Sequence, residues 1–452
     1  MRTAFRGILF ALLAGAQAHA TQWVTMGPRA MGMGGAFTAV AQGPVGAYYN
    51  PGALGQIFDN PSGVQVMGGA HVEIAGPALK GANDYYQVAQ ACKTSGGAQA
   101  GDCTNANISV LNSELSSPGS GLLADAGGGV AFKFGRLALF AQNFSFRGTT
   151  VQPPSFPFRN LTRTNIYDPN NARDLRLRGS SVYELGAGYG REILESGVFV
   201  GMNLKALVAR NGYADIYLAQ ERPQPLTLLK NYDRSTKTSF MPGVDVGLLW
   251  DVKQTFADAP FHPRFGVVGH NVNNPRFDMP DRAGAVGDSH RFYDQQGQSR
   301  FGAALDLTSW CTVAADLDLT ENLTQVEGYT ERMYAAGMEV RLINDPAFAI
   351  PVRAGVSKNI VRADSKTLLS AGLGLHLINF NIDLAVSVPA GGWQAVQTVN
   401  ESQKLPQQLA ISAQFALLFG GAESITEPNR DPFATPVERP RERERRSPTY
   451  FQ

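Results

Sequence analysis

The chain has 452 residues, which at about 150 residues per domain would make three ordinary soluble domains. Charged residues make up 17% and the formal charge is +1, with 39 basic against 38 acidic side chains, a balance that excludes a broad cationic face for nucleic acid. A hydrophobic content of 44% argues against global disorder, three cysteines are too few for a disulfide scaffold, and no later apolar run reaches the ~18 residues of a membrane helix.

Residues 1–20 read as a secretory signal: Arg2 and Arg6, an apolar stretch from Gly7 to Ala16, and Ala18-His19-Ala20 as the cleavage site. Its removal leaves Thr21 first and a formal charge of −1. Residues 21–60 follow no strand or helix period. They are rich in small residues, as in Met31-Gly32-Met33-Gly34-Gly35-Ala36-Phe37, and continue through Ala47-Tyr48-Tyr49-Asn50-Pro51-Gly52-Ala53-Leu54. Small residues let a chain pack closely, glycine turns it back, and Asn50-Pro51 favours a turn. A dinucleotide-binding reading of the glycines fails, because no strand precedes them and no helix with an acidic ribose ligand follows.

From Ser62 onward the sequence alternates apolar and polar residues. The pattern predicts fourteen strands, at about 62–75, 127–134, 136–147, 178–190, 197–210, 238–252, 263–274, 299–308, 311–323, 330–343, 349–360, 366–376, 379–389 and 405–419. In the last, Leu409, Ile411, Ala413, Phe415, Leu417 and Phe419 share one face; Ala410, Ser412, Gln414 and Ala416 share the other. Joints alternate too. Short ones include Gly135-Arg136, Ser309-Trp310 and Ile378-Asn379, and long ones span roughly 76–126, 148–177, 211–237 and 275–298.

An even strand count with long loops on one side only is the pattern of a transmembrane antiparallel β-barrel in a bacterial outer membrane. A soluble β-sandwich also alternates, but its inner face must be apolar. Here the second face carries Lys133, Glu184, Lys205, Asp245, Asp306, Asp316, Asp318, Glu339, Arg341, Arg353 and Asp383. Both signs occur, so pairing across the lumen is expected rather than a pore selective for one charge.

The long loops hold two further features. Cys92 and Cys103, eleven positions apart, are expected to pair in an oxidising compartment. Phe156 and Phe158, and then Leu226, Leu228 and Leu229, place apolar side chains where polar ones are usual, either to capture an apolar ligand or to cap the barrel mouth. Residues 420–452 combine prolines with Arg441-Glu442-Arg443-Glu444-Arg445-Arg446 and read as a disordered, solvated periplasmic tail, with docking of a partner as the alternative. No cofactor or metal is expected. The six histidines show no metal-helix spacing and no Gly-x-Ser-x-Gly elbow occurs, so an enzyme is disfavoured.

The Gly-Met-Gly-Gly-Ala-Phe run followed by Tyr-Tyr-Asn-Pro-Gly-Ala-Leu resembles the N-terminal hatch of FadL-type outer-membrane transporters. Ala314-Ala315-Asp316-Leu317-Asp318-Leu319-Thr320-Glu321-Asn322 and Gly269-His270-Asn271-Val272-Asn273-Asn274-Pro275 are similar to the TraF-like, conjugal-transfer branch of that group. The resemblance implies a fourteen-stranded barrel (residues 61–419) plugged by a hatch (21–60), with Phe37, Tyr48, Tyr49, Asn50 and Pro51 on the ligand pathway. It also implies passive uptake of long-chain fatty acids or hydrocarbons. The alternative is a non-transporting barrel that serves a conjugation or secretion assembly through residues 420–452. Where the group usually has Asn-Pro-Ala, Gly52 separates Pro51 from Ala53.

Overall fold

The computed structural model describes residues 20–21, 23–56, 60–115, 119–152, 161–168, 174–217, 225–281, 292–326, 328–345, 347–391, 393–397 and 402–419. The expected signal segment up to residue 19, the loop residues Phe156 and Phe158, and the tail 420–452 lie outside the described residues.

Fourteen antiparallel strands close into a barrel. They are β1 (Ser62–Ala75), β2 (Gly121–Phe134), β3 (Leu137–Gln152), β4 (Asp174–Glu192), β5 (Val198–Tyr217), β6 (Thr236–Asp251) and β7 (Arg264–His270). The second half comprises β8 (Gln298–Thr308), β9 (Cys311–Asp318), β10 (Met333–Asp345), β11 (Phe348–Asn359), β12 (Leu368–Leu377), β13 (Phe380–Pro389) and β14 (Gln408–Phe419). Each strand pairs with its sequence neighbours, and β14 closes on β1 from Ser62↔Phe419 to Glu73↔Gln408. Closure leaves no sheet edge to be desolvated in hydrocarbon.

The alternation sorts the two faces as the sequence requires. Along β13, Leu384 is 58% exposed while its neighbour Asp383 is 2% exposed. The same holds for Leu369, Leu373 and Leu375 against Ser370 and Gly372 on β12, and for Ile411 and Phe415 against Ser412 on β14. The exterior is therefore apolar and the polar residues face inward, the arrangement of a barrel in lipid.

All fourteen expected strands are present, but β2 to β5 run further toward the long loops than expected; β4 has 19 residues and β5 has 20. About 9–11 tilted residues cross a bilayer, so these strands rise beyond it. There both faces are covered: Arg176 and Leu177 are each buried, as are Tyr213 and Ala214. The cover is a partly helical cap, where the strand pattern alone predicts long loops. It contains helices Ala78–Thr94 and Asn105–Leu115. These are joined by the Cys92–Cys103 disulfide. Tyr85, Ile108, Leu111, Leu115, Leu161 and Ile166 form its core with Leu177 and Ala214 of the wall. Tyr232, from helix Pro225–Arg234, lies on the paired Gly179 and Gly212, where any side chain would collide with its ring or hydroxyl.

Candidate functional site: the occupied lumen

Residues 23–56 lie inside the barrel and are almost entirely buried. Three short helical turns shape the segment: α1 (Pro28–Gly32), α2 (Gly46–Tyr49) and a 3₁₀ turn at Pro51–Gly55. Pro28 starts α1 at a position that needs no N–H donor. Gly34, with φ +70, ends it in the left-handed region, and a side chain there would meet the Val356 backbone.

The wall is cut away to receive this segment. Gly337 and Gly355, register partners on β10 and β11, would each overlap the Met33–Gly34 backbone if they carried a Cβ. On the opposite wall, a Cβ on Gly190, Gly201 or Gly247 would strike Asn50, Pro51 or the Leu54–Gly55 linkage. Glycine inside a strand marks close approach of another backbone, so the inward parity of these glycines was a usable signal that sequence reasoning passed over.

Polar anchors complete the attachment. Asp316 Oδ2 accepts from Phe37 N and Thr38 N at 3.0 Å each and from Thr38 Oγ1 at 2.7 Å. Asn50 Nδ2 donates to Thr38 O at 3.2 Å and Leu248 O at 3.0 Å, and its Oδ1 caps Gly52 N. The Tyr48 hydroxyl donates to Val24 O at 2.7 Å and that of Tyr49 to Met26 O at 2.5 Å. Phe37 packs edge-on against Tyr49, 4.9 Å between centroids. Arg29 of α1 reaches Glu339 at 2.8 Å and 3.1 Å.

Most of the inward charges are paired, though not across the lumen. Lys205 bridges Asp245 at 2.9 Å and Glu184 at 3.4 Å on adjacent strands. Arg353 joins Glu339 and Asp383 at 2.7 Å each, and Arg300 joins Asp318 at 2.6 Å. Arg264 reaches Asp306 at 2.6 Å, and Arg341 lies 3.7 Å from Glu339. Lys133 donates to Asn60 O at 2.7 Å. The expected cross-lumen pairing gives way to pairing along the wall because the inner segment fills the space between opposite walls.

Two cavities lie along β10 to β14 and β1, stacked with α1 between them. The upper one, toward the long loops, has about 100 Å³ and touches Met31, Gly34 and Gly35. The lower one has about 120 Å³ and touches Met26, Gly27, Arg29 and Ala30. Of the residues expected on a ligand pathway, Phe37 lines the lower cavity. Tyr48, Tyr49, Asn50 and Pro51 line neither and instead hold the segment to itself and the wall. Leu226, Leu228 and Leu229 fall on helix Pro225–Arg234, but their side chains lie outside the described residues. Residues the sequence reading did not single out, Trp23, His71 and Gln408, line the upper cavity with Nε1, Nε2 and Oε1 respectively buried and without a hydrogen-bond partner among the described residues. No group of three metal-ligating side chains occurs among the described residues.

The fold is that of a closed antiparallel fourteen-stranded barrel with an apolar exterior, and residues 23–56 pack against its inner wall. Residues 47–318 match the family model described as F plasmid transfer operon, TraF, protein, and the chain belongs to that family. Among solved structures it is similar to the Pseudomonas putida toluene transporter TodX, at 12% identity over 89% of this chain and 100% of that one, with a TM-score of 0.47. A Pseudomonas aeruginosa FadL homologue matches at 11% identity over 89% of this chain and 99% of that one, with a TM-score of 0.43. No curated protein matches the sequence.

Proposed function

We propose that the protein is an outer-membrane channel for passive uptake of small hydrophobic molecules, exported by residues 1–20 and held closed by residues 21–60 acting as a hatch. The observation that carries this reading is the pair of cavities stacked on either side of α1 along the same strands. A shift of α1 away from β10–β13 would join them into one path along the wall. The contacts to be broken include Arg29 to Glu339, the close approach of Gly32–Gly34 to the wall backbone, and Met31 against Ala385 and Ala410. Outer-loop apolar residues, including Phe156, Phe158, Leu226, Leu228 and Leu229, serve as the capture surface in this reading, and chemistry is left to other proteins.

The test is uptake by cells with and without the gene, using a monoaromatic hydrocarbon and a long-chain fatty acid. Loss of uptake of at least one, restored by the wild-type gene but not by a version with Met31→Cys and Ala385→Cys oxidised to a cross-link, supports the channel. Normal uptake of both in the deletion strain refutes it.

The family match favours a second reading, in which the barrel serves a conjugation or secretion assembly and residues 420–452 dock the partner. Removing those residues should then strip a co-purifying protein from the barrel. Retention of every partner removes the support for tail docking.

A further inference from the structure

The lower cavity carries positive charge that its own wall does not neutralise. Three guanidiniums line it, from Arg29 on α1, Arg341 on β10 and Arg353 on β11, beside the two carboxylates of Glu339 on β10 and Asp383 on β13. His376 is the other titratable side chain of the lining, and its Nε2 lies 3.1 Å from Asp383 Oδ1. Both carboxylates are already engaged. Glu339 Oε2 accepts from Arg29 Nε at 2.8 Å and Arg353 Nε at 2.7 Å, and its Oε1 accepts from Arg29 at 3.1 Å. Asp383 Oδ1 accepts from Arg353 at 2.7 Å and its Oδ2 from Gln414 at 3.3 Å. Arg29 also donates to Gln42 Oε1 at 2.9 Å. Arg341 is left over. Its guanidinium stands 3.7 Å from Glu339 Oε1, too far for a hydrogen bond, and makes none among the described residues.

A second, independent feature lies at the same end of the cavity. Asn381, which is 7% exposed, and Asn344 both line it, and neither side chain makes a hydrogen bond among the described residues. Asn344 precedes the β10–β11 turn and Asn381 follows the β12–β13 turn. Arg341 N donates to Trp310 O of the β8–β9 turn, and Leu418 N to Asn379 O. These groups therefore form a mouth at the short-turn end, the periplasmic end of an outer-membrane barrel. An asparagine amide can present either its N–H groups or its oxygen, so Arg341, which has donors only, sets the sign of a ligand. A guanidinium fork matches a carboxylate through two parallel bonds, and one surplus positive charge calls for a monoanion. Met26, Phe37, Val45 and Leu418 supply apolar wall for a carbon body. The volume is about 120 Å³, against about 150 Å³ for a cavity that holds benzene, which limits that body to a few carbons.

We infer that the lower cavity binds a compact organic carboxylate at its short-turn mouth, with the carboxylate on the Arg341 guanidinium and Asn344 and Asn381 turned to donate to it. This names a substrate class for the proposed channel and rests on that reading for transport, while binding itself is measured without it.

The experiment is calorimetric titration of the detergent-purified, full-length exported protein with butyrate, n-butanol, n-butylammonium and inorganic phosphate. The expected result is binding of butyrate alone. Arg341→Gln should weaken it at least ten-fold, and Asn344→Asp, which cancels the surplus charge, should weaken it as well. Absence of butyrate binding overturns the inference, as does equal binding of butanol, butylammonium or phosphate. So does unchanged affinity in Arg341→Gln with folding verified by heat-modifiable gel mobility. If Arg341→Gln fails to fold, Asn344→Asp decides: weaker binding supports the site and unchanged binding sinks it. Butyrate binding without uptake of hydrocarbon or fatty acid refutes the channel alone, whereas uptake without butyrate binding refutes this site alone.

Discussion

Asp316→Ala isolates the anchor of the inner segment. The Asp316 carboxylate is buried on β9 and one of its oxygens receives three donors from Phe37 and Thr38. A hydrogen bond to a charged group contributes about 1.5–3 kcal/mol, and the variant leaves two backbone N–H groups and a hydroxyl buried without an acceptor. Because the three bonds share one oxygen and water can enter the space left, the sum is not additive, and roughly 3–5 kcal/mol is expected. At 1.4 kcal/mol per factor of ten, local opening of the turn should rise by roughly 100- to 4,000-fold. Hydrogen exchange followed by mass spectrometry reads this directly on peptides from residues 23–56. Exchange should accelerate across residues 36–40 while amides of β12 and β13 keep their protection. Unchanged exchange at Phe37 and Thr38 in a folded Asp316→Ala barrel would refute the claim that this carboxylate holds the segment. Uniform acceleration throughout the barrel would show instead that Asp316 supports the wall.

Three more outcomes follow from the contacts described. Gly355→Ala places a methyl group against the Gly34 amide, and because that contact is backbone to backbone the inner segment should shift; increased exchange at residues 30–36 and a raised single-channel conductance are expected. His262, on the β6–β7 connection, has Nε2 at 3.0 Å from Asp251 and Nδ1 at 3.1 Å from Asp306. Burial alone would lower its pKa, but these hydrogen bonds outweigh burial and raise it above the usual 6.5. The folded-state pKa is the higher one, so the stabilisation is complete below about pH 6.5 and fades as pH climbs through the raised value. The difference in urea midpoint between wild type and His262→Gln should therefore shrink from pH 6 to pH 9. Replacing Cys92 and Cys103 by serine opens a loop of eleven residues, worth about 3 kcal/mol or somewhat less on loop-closure arguments. Proteolysis should then cut the capping helices faster while the urea midpoint of the barrel stays put.

The strand pattern was legible because lipid and lumen impose opposite demands on successive side chains, so each strand of β12, β13 and β14 carries its own orientation in residues as few as Leu384 and Asp383. The disulfide partners and the small-residue character of residues 21–60 were legible for similarly local reasons. The upper extensions of β2 to β5 were not, since beyond the membrane both faces are covered by protein and the alternation loses its meaning, as at Arg176 and Leu177. The capping helices were not legible because their apolar residues gain burial against each other and against Leu161, Leu177 and Ala214, which are distant in sequence.

For the lumen the division is sharper. The sequence by itself determined that the chain folds as an even-stranded barrel, which face of each strand meets lipid, and that small residues precede the first strand. Tertiary structure alone decided where those small residues go: glycines 337 and 355 form one notch and glycines 190, 201 and 247 another only once fourteen strands have closed and brought their inward faces to a common axis. It also gathered Arg29, Glu339, Arg341 and Asn381, spread over more than 300 positions of chain, around one cavity. Local pattern reports the solvent on either side of a strand, whereas a site inside a barrel depends on register and closure, which join residues with no local relationship.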